Sequence, residues 1–286
     1  MMNKQKIKII FLEAKIGNDL EIIPVNLGKV NFSYIVVDKK SSQRYFVKTK
    51  NRMTSKWGSL EVEAWAYGFL GDQFPIPKLV NFYKEEDTEL LATKFIEGER
   101  PSADNATIAR NAGNLLRRLH GLKFEGYGEV NVHKNKGGFY SWPEYLEDRI
   151  KRTISEIPNE YLPRNIEILT DQTAYDYFER GSLLHLDFQR RNMISQGPDL
   201  LLIVDFERAI IGDPLFDLTS VHHIEKIFYD SLLEGYFGLG SLRNREKRKL
   251  NLYSAIIELE IYNLILKEER KVAGNLRESI EKRLSK

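Results

Sequence analysis

Three polar residues near the middle of the sequence have the types and the spacing that phosphoryl transfer requires. Asp187 and Asn192 lie five positions apart in the segment Leu184-His-Leu-Asp-Phe-Gln-Arg-Arg-Asn, and Asp205 ends the apolar run Leu200-Leu-Leu-Ile-Val-Asp. Transfer of a phosphoryl group from a nucleotide needs a carboxylate near the acceptor hydroxyl and oxygen ligands for Mg²⁺. Asp187 suits the first role, and Asn192 and Asp205 suit the second. Any one of them alone could instead be a turn residue.

The pattern His-x-Asp-x₄-Asn, followed by a strand that ends Asp-Phe-Glu, resembles the motifs of aminoglycoside phosphotransferases and their relatives. Those relatives include choline, homoserine, methylthioribose and fructosamine kinases. The resemblance covers about residues 20–225 and implies an α+β, two-lobed protein-kinase-like fold. It implies a small β-rich nucleotide-binding lobe over residues 1–96 and a larger helical lobe, with the catalytic loop and acceptor site, over 97–286. ATP or GTP and Mg²⁺ are the cofactors that it implies.

Further motifs follow the order found in that family. Lys48 stands where the family has the strand lysine that holds the nucleotide phosphates, and Glu63 stands where it has the helix glutamate that pairs with this lysine. Glu61 is only two residues away, but the distance to the following aromatic–Leu pair favours Glu63. Gly212-Asp213-Pro214 and Asp217 match the family segment that follows the metal-binding aspartate.

The resemblance also assigns nucleotide contacts to two further segments. Residues 26–34 resemble the family's loop over the phosphates, which makes Asn31 and Ser33 candidate nucleotide-binding residues. Lys94-Phe-Ile96-Glu-Gly resembles the hinge, where backbone groups of Lys94 and Ile96 would meet the edge of the adenine. Together with Lys48 and Glu63, these residues form the predicted cofactor site.

Four residues close to the motifs receive structural interpretations. Leu186 stands where a glycine is common in the family, and its side chain can point into the core. His185 is expected to support the catalytic loop through hydrogen bonds, not to act as an acid or base. His120 is interpreted as a capping or core histidine, while Glu207 either orients loop backbone or ends its strand.

The elements that must position these groups differ between the two parts of the chain. The first hundred residues are rich in short β-branched and aromatic segments, interrupted by one helix over 59–70. After Gly98 and Pro101, helical spacing of apolar residues becomes dominant. The strands are predicted at 34–37, 45–48, 90–96, 183–187, 192–194 and 200–205, and the later helices at 106–120, 142–157, 166–180 and most of 219–286.

Composition excludes several classes of protein. The 286 residues contain no cysteine, which rules out disulfides, thiolate metal sites and cysteine nucleophiles. Lys and Arg number 43 against 41 Asp and Glu, so no broad positive charge favours nucleic acid or an anionic membrane. No stretch approaches the roughly 18 apolar residues that a membrane-spanning helix needs. We therefore expect a cytoplasmic protein. The family resemblance implies that its partners are a nucleotide and a small hydroxyl acceptor.

The acceptor itself is left open by the sequence. Residues 139–180 hold nine acidic and five basic side chains, which predicts either an acidic rim for a polycation such as an aminoglycoside or a solvated helical face. Residues 137–142 loosely resemble an element of hygromycin-type phosphotransferases. An endogenous metabolite kinase and a non-catalytic nucleotide-binding protein are the alternatives.

A protein kinase is disfavoured because no Gly-x-Gly-x-x-Gly precedes Lys48. The basic segment 243–249 is interpreted as a surface loop.

Overall fold

The computed structural model of the chain describes residues 2, 4–25, 32–51, 58–86, 88–222, 226–238, 243–266 and 270–285. Contacts between residues group the chain into two units. The first unit contains Met1–Pro101 and Arg190–Ala209, and the second contains Ser102–Gln189 and Ile210–Lys286. The segment with Asn192 and Asp205 therefore groups with the N-terminal residues. The lobe boundary after residue 96 stays a prediction.

The helices and strands confirm the α+β class, with most strands in the first unit and most helices in the second. In chain order they are α1 (Lys4–Glu13), β1 (Leu20–Val25), β2 (Phe32–Asp38), β3 (Gln43–Asn51), α2 (Leu60–Leu70), β4 (Leu79–Glu85), β5 (Thr88–Lys94), α3 (Ala106–His120), β6 (Lys123–Phe124), β7 (Tyr127–Asn131), β8 (Lys136–Phe139), α4 (Trp142–Ser155), β9 (Gly181–Leu184), β10 (Met193–Gln196), β11 (Asp199–Ile203), β12 (Ile210–Gly212), α5 (Pro214–His222), α6 (Lys226–Phe237), α7 (Asn244–Ile265) and α8 (Arg270–Leu284).

The first unit is built on an antiparallel sheet with the strand order β1-β2-β3-β5-β4 and on the separate hairpin β10–β11. One face of the sheet is covered by α1, whose Ile7 and Phe11 are fully buried against Val36 and Val47. The ring of Phe11 meets that of Tyr45 edge to face at 5.5 Å. This core fixes β3, the strand on which the predicted phosphate-binding lysine lies.

The second unit contains a small sheet with the order β6-β9-β12-β7-β8, and helices pack around it. Fully buried Trp142 of α4 donates from Nε1 to the hydroxyl of Tyr253 at 2.9 Å, and that hydroxyl donates to Oδ2 of Asp213 at 2.7 Å. Asp213 also accepts the backbone N–H of Leu215 at 3.0 Å. The turn between β12 and α5 is thereby tied to the interior of the unit.

One predicted helix is wrong. Residues 166–180 form two short 3₁₀ turns, Ile166–Thr170 and Gln172–Ala174, and no α-helix. The carboxylate of Asp171 accepts both the backbone N–H of Thr173, at 2.9 Å, and its hydroxyl, at 2.7 Å. An aspartate that bonds to nearby backbone in this way competes with the helical hydrogen bonds, so the apolar spacing of the segment does not produce a helix.

The interpretation of residues 243–249 as a surface loop is also wrong, because α7 begins at Asn244. The side chain of Glu246 accepts the backbone N–H of Arg243 at 2.7 Å, which caps the helix. Lys249 is buried, with Nζ 2.8 Å from Asp176 and 2.5 Å from Asp213. Lys249 thus has two acidic partners inside the second unit.

Within the described part of the chain, no helix combines the length and the apolar character needed to cross a membrane.

Candidate active site

Lys48 is the centre of a partly buried ion-pair cluster in the first unit. Its Nζ lies 2.9 Å from both carboxylate oxygens of Glu63 on α2 and 2.9 Å from Oδ1 of Asp205. The Glu63 side chain is 1% exposed and that of Lys48 13%. Glu61, the other glutamate of the first helical turn, instead pairs with Lys84 at 2.6 Å. Of the two glutamates that the sequence offered, the structure brings Glu63 to Lys48.

Tyr67 joins the two carboxylates that meet at Lys48. It lies one helical turn after Glu63, and its hydroxyl donates to Glu63 Oε1 at 2.6 Å. The same hydroxyl accepts the backbone N–H of Asp205 at 3.1 Å, while the Phe206 ring packs edge-on against the Tyr67 ring at 6.0 Å. Sequence reasoning gave Tyr67 no role; its position four residues after Glu63 on a helix was the available signal.

Burial and charge shift the ionisation of this cluster. Burial raises the pKa of Glu63 to about 7, and the neighbouring Asp205 adds to the shift, although Lys48 opposes it. Burial by itself would lower the pKa of Lys48, but the charges of Glu63, Asp205 and Glu207 raise it above its ordinary value. Lys48 therefore stays cationic, and the cluster has more carboxylates than its lysine neutralises.

The carboxylates also form a group with the chemistry of a cation site. Ligand oxygens of Glu63, Asp205 and Glu207 lie within 4.8 Å of one another, and oxygen ligands are those that Mg²⁺ prefers. Asn192, the other predicted ligand, is buried, and its carbonyl accepts the N–H of Val204 at 3.0 Å. Because this bond closes the open end of the β10–β11 pairing, Asn192 and Asp205 lie at the same end of the hairpin.

The predicted nucleotide contacts are only partly within the described residues. Ser33 is buried on β2, directly opposite Lys48 of β3. Asn31 lies outside the described residues, as does the whole first part of the predicted phosphate loop, residues 26–31. Lys94 ends β5, and its N–H donates to a backbone carbonyl at 2.9 Å, so its own carbonyl is the group left as a candidate for base contact. Ile96 follows and is 36% exposed. The nucleotide roles of all four residues stay predictions.

Asp187 belongs to the second unit, in the turn that follows β9. Leu186, just before it, has φ of 59°, in the left-handed region that favours glycine. The backbone N–H of Asp187 donates to Nδ1 of buried His185 at 3.2 Å, and the carbonyl of Asp187 accepts the N–H of Gln189 at 2.8 Å. His185 therefore supports the backbone of this loop. The role of Asp187 as the base stays a prediction.

Asp217, at the start of α5, holds the same loop from the other side. Its Oδ2 accepts the N–H of His185 at 2.7 Å, and its Oδ1 accepts that of Leu186 at 2.8 Å. His120 Nε2 donates to Oδ2 at 3.1 Å, and the hydroxyl of Tyr236 lies 2.8 Å from His120 Nδ1. Burial alone would raise the pKa of Asp217, but the contacts with the two histidines hold it below its usual value. His120 is thus a buried histidine that orients Asp217.

The acidic segment 139–180 is partly neutralised. On α4, Glu147 pairs with Lys151 at 2.5 Å, and Asp148 pairs with Arg152 at 2.9 Å. Asp176 is paired with Lys249 of α7. At least three of the nine acidic residues thus have basic partners, which leaves fewer carboxylates for a cationic acceptor than the count suggests.

The elements and motifs described above are those of a phosphotransferase. Residues 21–250 match the model of the phosphotransferase enzyme family, APH, and the chain belongs to this family. It is a phosphotransferase whose acceptor is an alcohol group, as the sequence predicted.

Solved structures show the same fold at low sequence identity. The aminoglycoside phosphotransferase APH(4)-Ia, in a ternary complex with ADP and hygromycin B, is 11% identical with a TM-score of 0.70, and 97% of each chain is covered. A candidate fructosamine-3-kinase from Haemophilus somnus 129PT is 14% identical with a TM-score of 0.73, covering 97% of this chain and 96% of that one. The gentamicin complex of APH(2")-IIa is 19% identical with a TM-score of 0.66, covering 98% and 96%. The predicted kinase-like fold is confirmed.

Proposed function

We propose that this phosphotransferase is a small-molecule kinase that transfers the γ-phosphate of ATP or GTP to a hydroxyl of an aminoglycoside-like acceptor. The observation that carries the proposal is the placement of Lys48 between buried Glu63 and Asp205, each at 2.9 Å. A lysine fixed in this way presents a permanent positive charge to a phosphate, next to carboxylate oxygens suited to Mg²⁺.

The proposed mechanism gives each predicted residue one task. Asp187 orients the acceptor hydroxyl and accepts its proton as the oxygen bonds to the γ-phosphorus. The bond from that phosphorus to the β-phosphate oxygen breaks, and its electron pair leaves with the nucleoside diphosphate. Bound Mg²⁺ supplies charge neutralisation at the phosphate oxygens. Asn192 and Asp205 would hold this ion, while Lys48 fixes the phosphates, so that positioning provides most of the rate enhancement.

The aminoglycoside-like acceptor has two supports. The acidic excess over residues 139–180 would attract a polycation, and six of those carboxylates are outside the three ion pairs described above. APH(4)-Ia and APH(2")-IIa, which share the fold, are bound to hygromycin B and gentamicin. A metabolite kinase is the second candidate, because the candidate fructosamine-3-kinase has the higher TM-score, 0.73.

The test is release of ADP or GDP, with Mg²⁺ present, against a panel of acceptors. The panel holds several aminoglycosides, hygromycin, choline, homoserine, methylthioribose and fructosamines. We expect turnover with an aminoglycoside, and we expect Asp187→Asn to lower kcat by about 10²- to 10⁴-fold, the usual contribution of a general base. Asp148→Asn, which removes an exposed carboxylate of α4, is the matched control and should leave kcat unchanged.

Other outcomes assign the protein differently. Turnover with a metabolite alone would make it a metabolite kinase. Binding of Mg²⁺ and AMP-PNP without turnover of any acceptor would support a nucleotide-binding protein without catalysis. Wild-type turnover by Asp187→Asn would show that the proposed mechanism is wrong.

A further inference from the structure

A second lysine on β3 makes contacts parallel to those of Lys48. Lys50 is buried, and its Nζ donates to the carbonyl of Gly58 at 2.8 Å. The same Nζ lies 3.6 Å from Oε2 of Glu207. The carbonyl of Glu207 in turn accepts the N–H of Ser59 at 2.8 Å. Lys50, Gly58, Ser59 and Glu207 thus form one connected group inside the first unit.

The two lysines join the same three segments of chain. Lys48 connects β3 to Glu63 on α2 and to Asp205. Lys50 connects β3 to the residue two positions before α2 and to Glu207. Residues i and i+2 of a strand point to the same face, about 6.6 Å apart, and the two acids are likewise two residues apart. Lys50 therefore joins the same three segments as Lys48, two residues further along the strand, through one backbone carbonyl and one carboxylate.

The chain at Gly58 is shaped to receive Glu207. Gly58 has φ of 66°, and a Cβ at this position would lie 2.8 Å from Cγ of Glu207 and 3.0 Å from its carbonyl oxygen. A larger residue would be strained in its backbone and would displace the Glu207 side chain. The next residues are also fixed, because buried Glu89 of β5 accepts the N–H of Leu60 at 3.1 Å. The start of α2 is thus held by two acids, of which one comes from the segment of Asp205.

We propose that Lys50 and Glu207 are positioning residues that hold Lys48 and Asp205 in the geometry needed for phosphate and metal binding. The inference rests on the proposed function of Lys48 and Asp205 and goes beyond it, because Lys50 and Glu207 act through those two residues. Glu63 and Asp205 approach Lys48 from different segments, and the Lys50–Glu207 pair fixes both segments against β3. Loss of Lys50 allows the segment of Asp205 to shift relative to α2 without removing any carboxylate of the candidate cation site.

Two variants test this assignment without knowledge of the acceptor. Lys50→Met keeps the alkyl chain and removes the charge, and Glu207→Gln keeps the shape. The probe is hydrolysis of Mg²⁺·ATP to ADP and phosphate by water, followed as a function of the Mg²⁺ concentration at 20 °C. We expect kcat to fall by about 10- to 100-fold, since a displacement of about 1 Å costs up to that factor, and the half-saturating Mg²⁺ concentration to rise several-fold. The kcat of the double variant should be no lower than that of the less active single variant, because each change breaks the same pair.

The matched controls are Lys84→Met and Glu61→Gln. They break a 2.6 Å ion pair between α2 and β4, one that does not involve Lys48 or Asp205, and they should leave kcat and the Mg²⁺ dependence unchanged. A merely structural role for Lys50 would lower the temperature of unfolding and leave both kinetic quantities at wild-type values. That result, or losses that multiply in the double variant, would overturn the proposal.

Failure of the proposed function gives a different pattern. If Lys48→Met is inactive while folded Lys50→Met is fully active, the function stands and the positioning role falls. If Lys48→Met turns over nucleotide like the wild type, or if the wild type transfers phosphate from neither ATP nor GTP to any acceptor of the panel, the proposed function falls. A crystal structure of Lys50→Met then decides the positioning role alone. Retention of the 2.9 Å distance between Lys48 Nζ and Asp205 Oδ1 would overturn it, and separation of these atoms would support it.

Discussion

Replacement of Asp217 by asparagine should damage catalysis as well as stability. The carboxylate is fully buried and accepts two backbone N–H groups, from His185 at 2.7 Å and from Leu186 at 2.8 Å, one on each oxygen. An asparagine has the same shape but only one oxygen. Whichever orientation its amide takes, one of the two loop N–H groups faces an NH₂ group and loses its acceptor.

The magnitude follows from the bonds that are lost. A hydrogen bond to a buried charged group contributes about 1.5–3 kcal/mol, and the retained bond weakens by roughly 1 kcal/mol when its acceptor becomes neutral. The expected loss of stability is therefore about 2.5–4 kcal/mol. The left-handed conformation of Leu186, with φ of 59°, costs roughly 1–2 kcal/mol that the lost bond helped to offset. Relaxation at Leu186 moves Asp187, the adjoining residue, and we expect kcat to fall by about 10²-fold.

Urea unfolding and steady-state kinetics measure the two effects. Because the pKa of Asp217 is depressed in the folded protein, its contribution to stability is present above its ordinary pKa and is lost as the pH falls through the depressed value. The stability difference between wild type and Asp217→Asn should therefore be constant from pH 6 to 9 and should narrow in acid. An equal urea midpoint and an equal kcat for the two proteins would refute the argument.

Three further changes test individual contacts. Burial raises the pKa of Glu63 from 4.5 to about 7, so the folded chain binds this proton more tightly than the unfolded chain does. The free energy of unfolding should therefore fall as the pH rises between these two values. Glu63→Gln should remove this pH dependence, and an unchanged pH dependence in the variant would contradict the argument. Lys249→Met leaves Asp176 and Asp213 without their shared cation and should cost about 3 kcal/mol in urea unfolding, whereas loss of an exposed α7 lysine should cost almost nothing. Gly113→Ala would place Cβ 2.0 Å from a backbone oxygen of α6, so the temperature of unfolding should fall; a rise, as helix propensity alone predicts, would contradict the close packing.

The sequence was sufficient for the pairing of Lys48 with Glu63, which follows from the order of the motifs. The catalytic role of Asp187 and the metal-binding roles of Asn192 and Asp205 stay predictions that rest on residue type and spacing. Helix α3 and strands β3 and β5 were predicted because each has a regular apolar pattern that its own residues satisfy. In these cases local propensity and tertiary environment favour the same structure.

The rest depended on contacts between distant parts of the chain. Lys50 has the appearance of a solvated strand lysine, yet it is buried because a carboxylate 157 residues later, at position 207, lies beside it. Residues 166–180 have helical apolar spacing, but the Asp171 side chain takes the local backbone groups and ends the turn. Helix α1 was not predicted because its apolar residues, Ile9 to Leu12, form a continuous run without helical spacing. Packing against the sheet buries only one face of the helix, with Ile10 and Phe11, and leaves Ile9 and Leu12 exposed.

The division of the first unit into two stretches of chain has a consequence for its synthesis on the ribosome. The hairpin β10–β11 bonds to the early part of the unit, through the N–H of Ile203 to Pro75 at 2.8 Å and through the pairing of Glu99 with Ser195. Translation must first pass through Ser102–Gln189, which takes roughly 4–18 s at the usual rates. During that interval the nascent sheet β1–β5 lacks the hairpin β10–β11, and it is exposed to chaperones and proteases. A fragment that stops at Pro101 preserves this unfinished state permanently, so splitting the gene there would not yield a self-sufficient half.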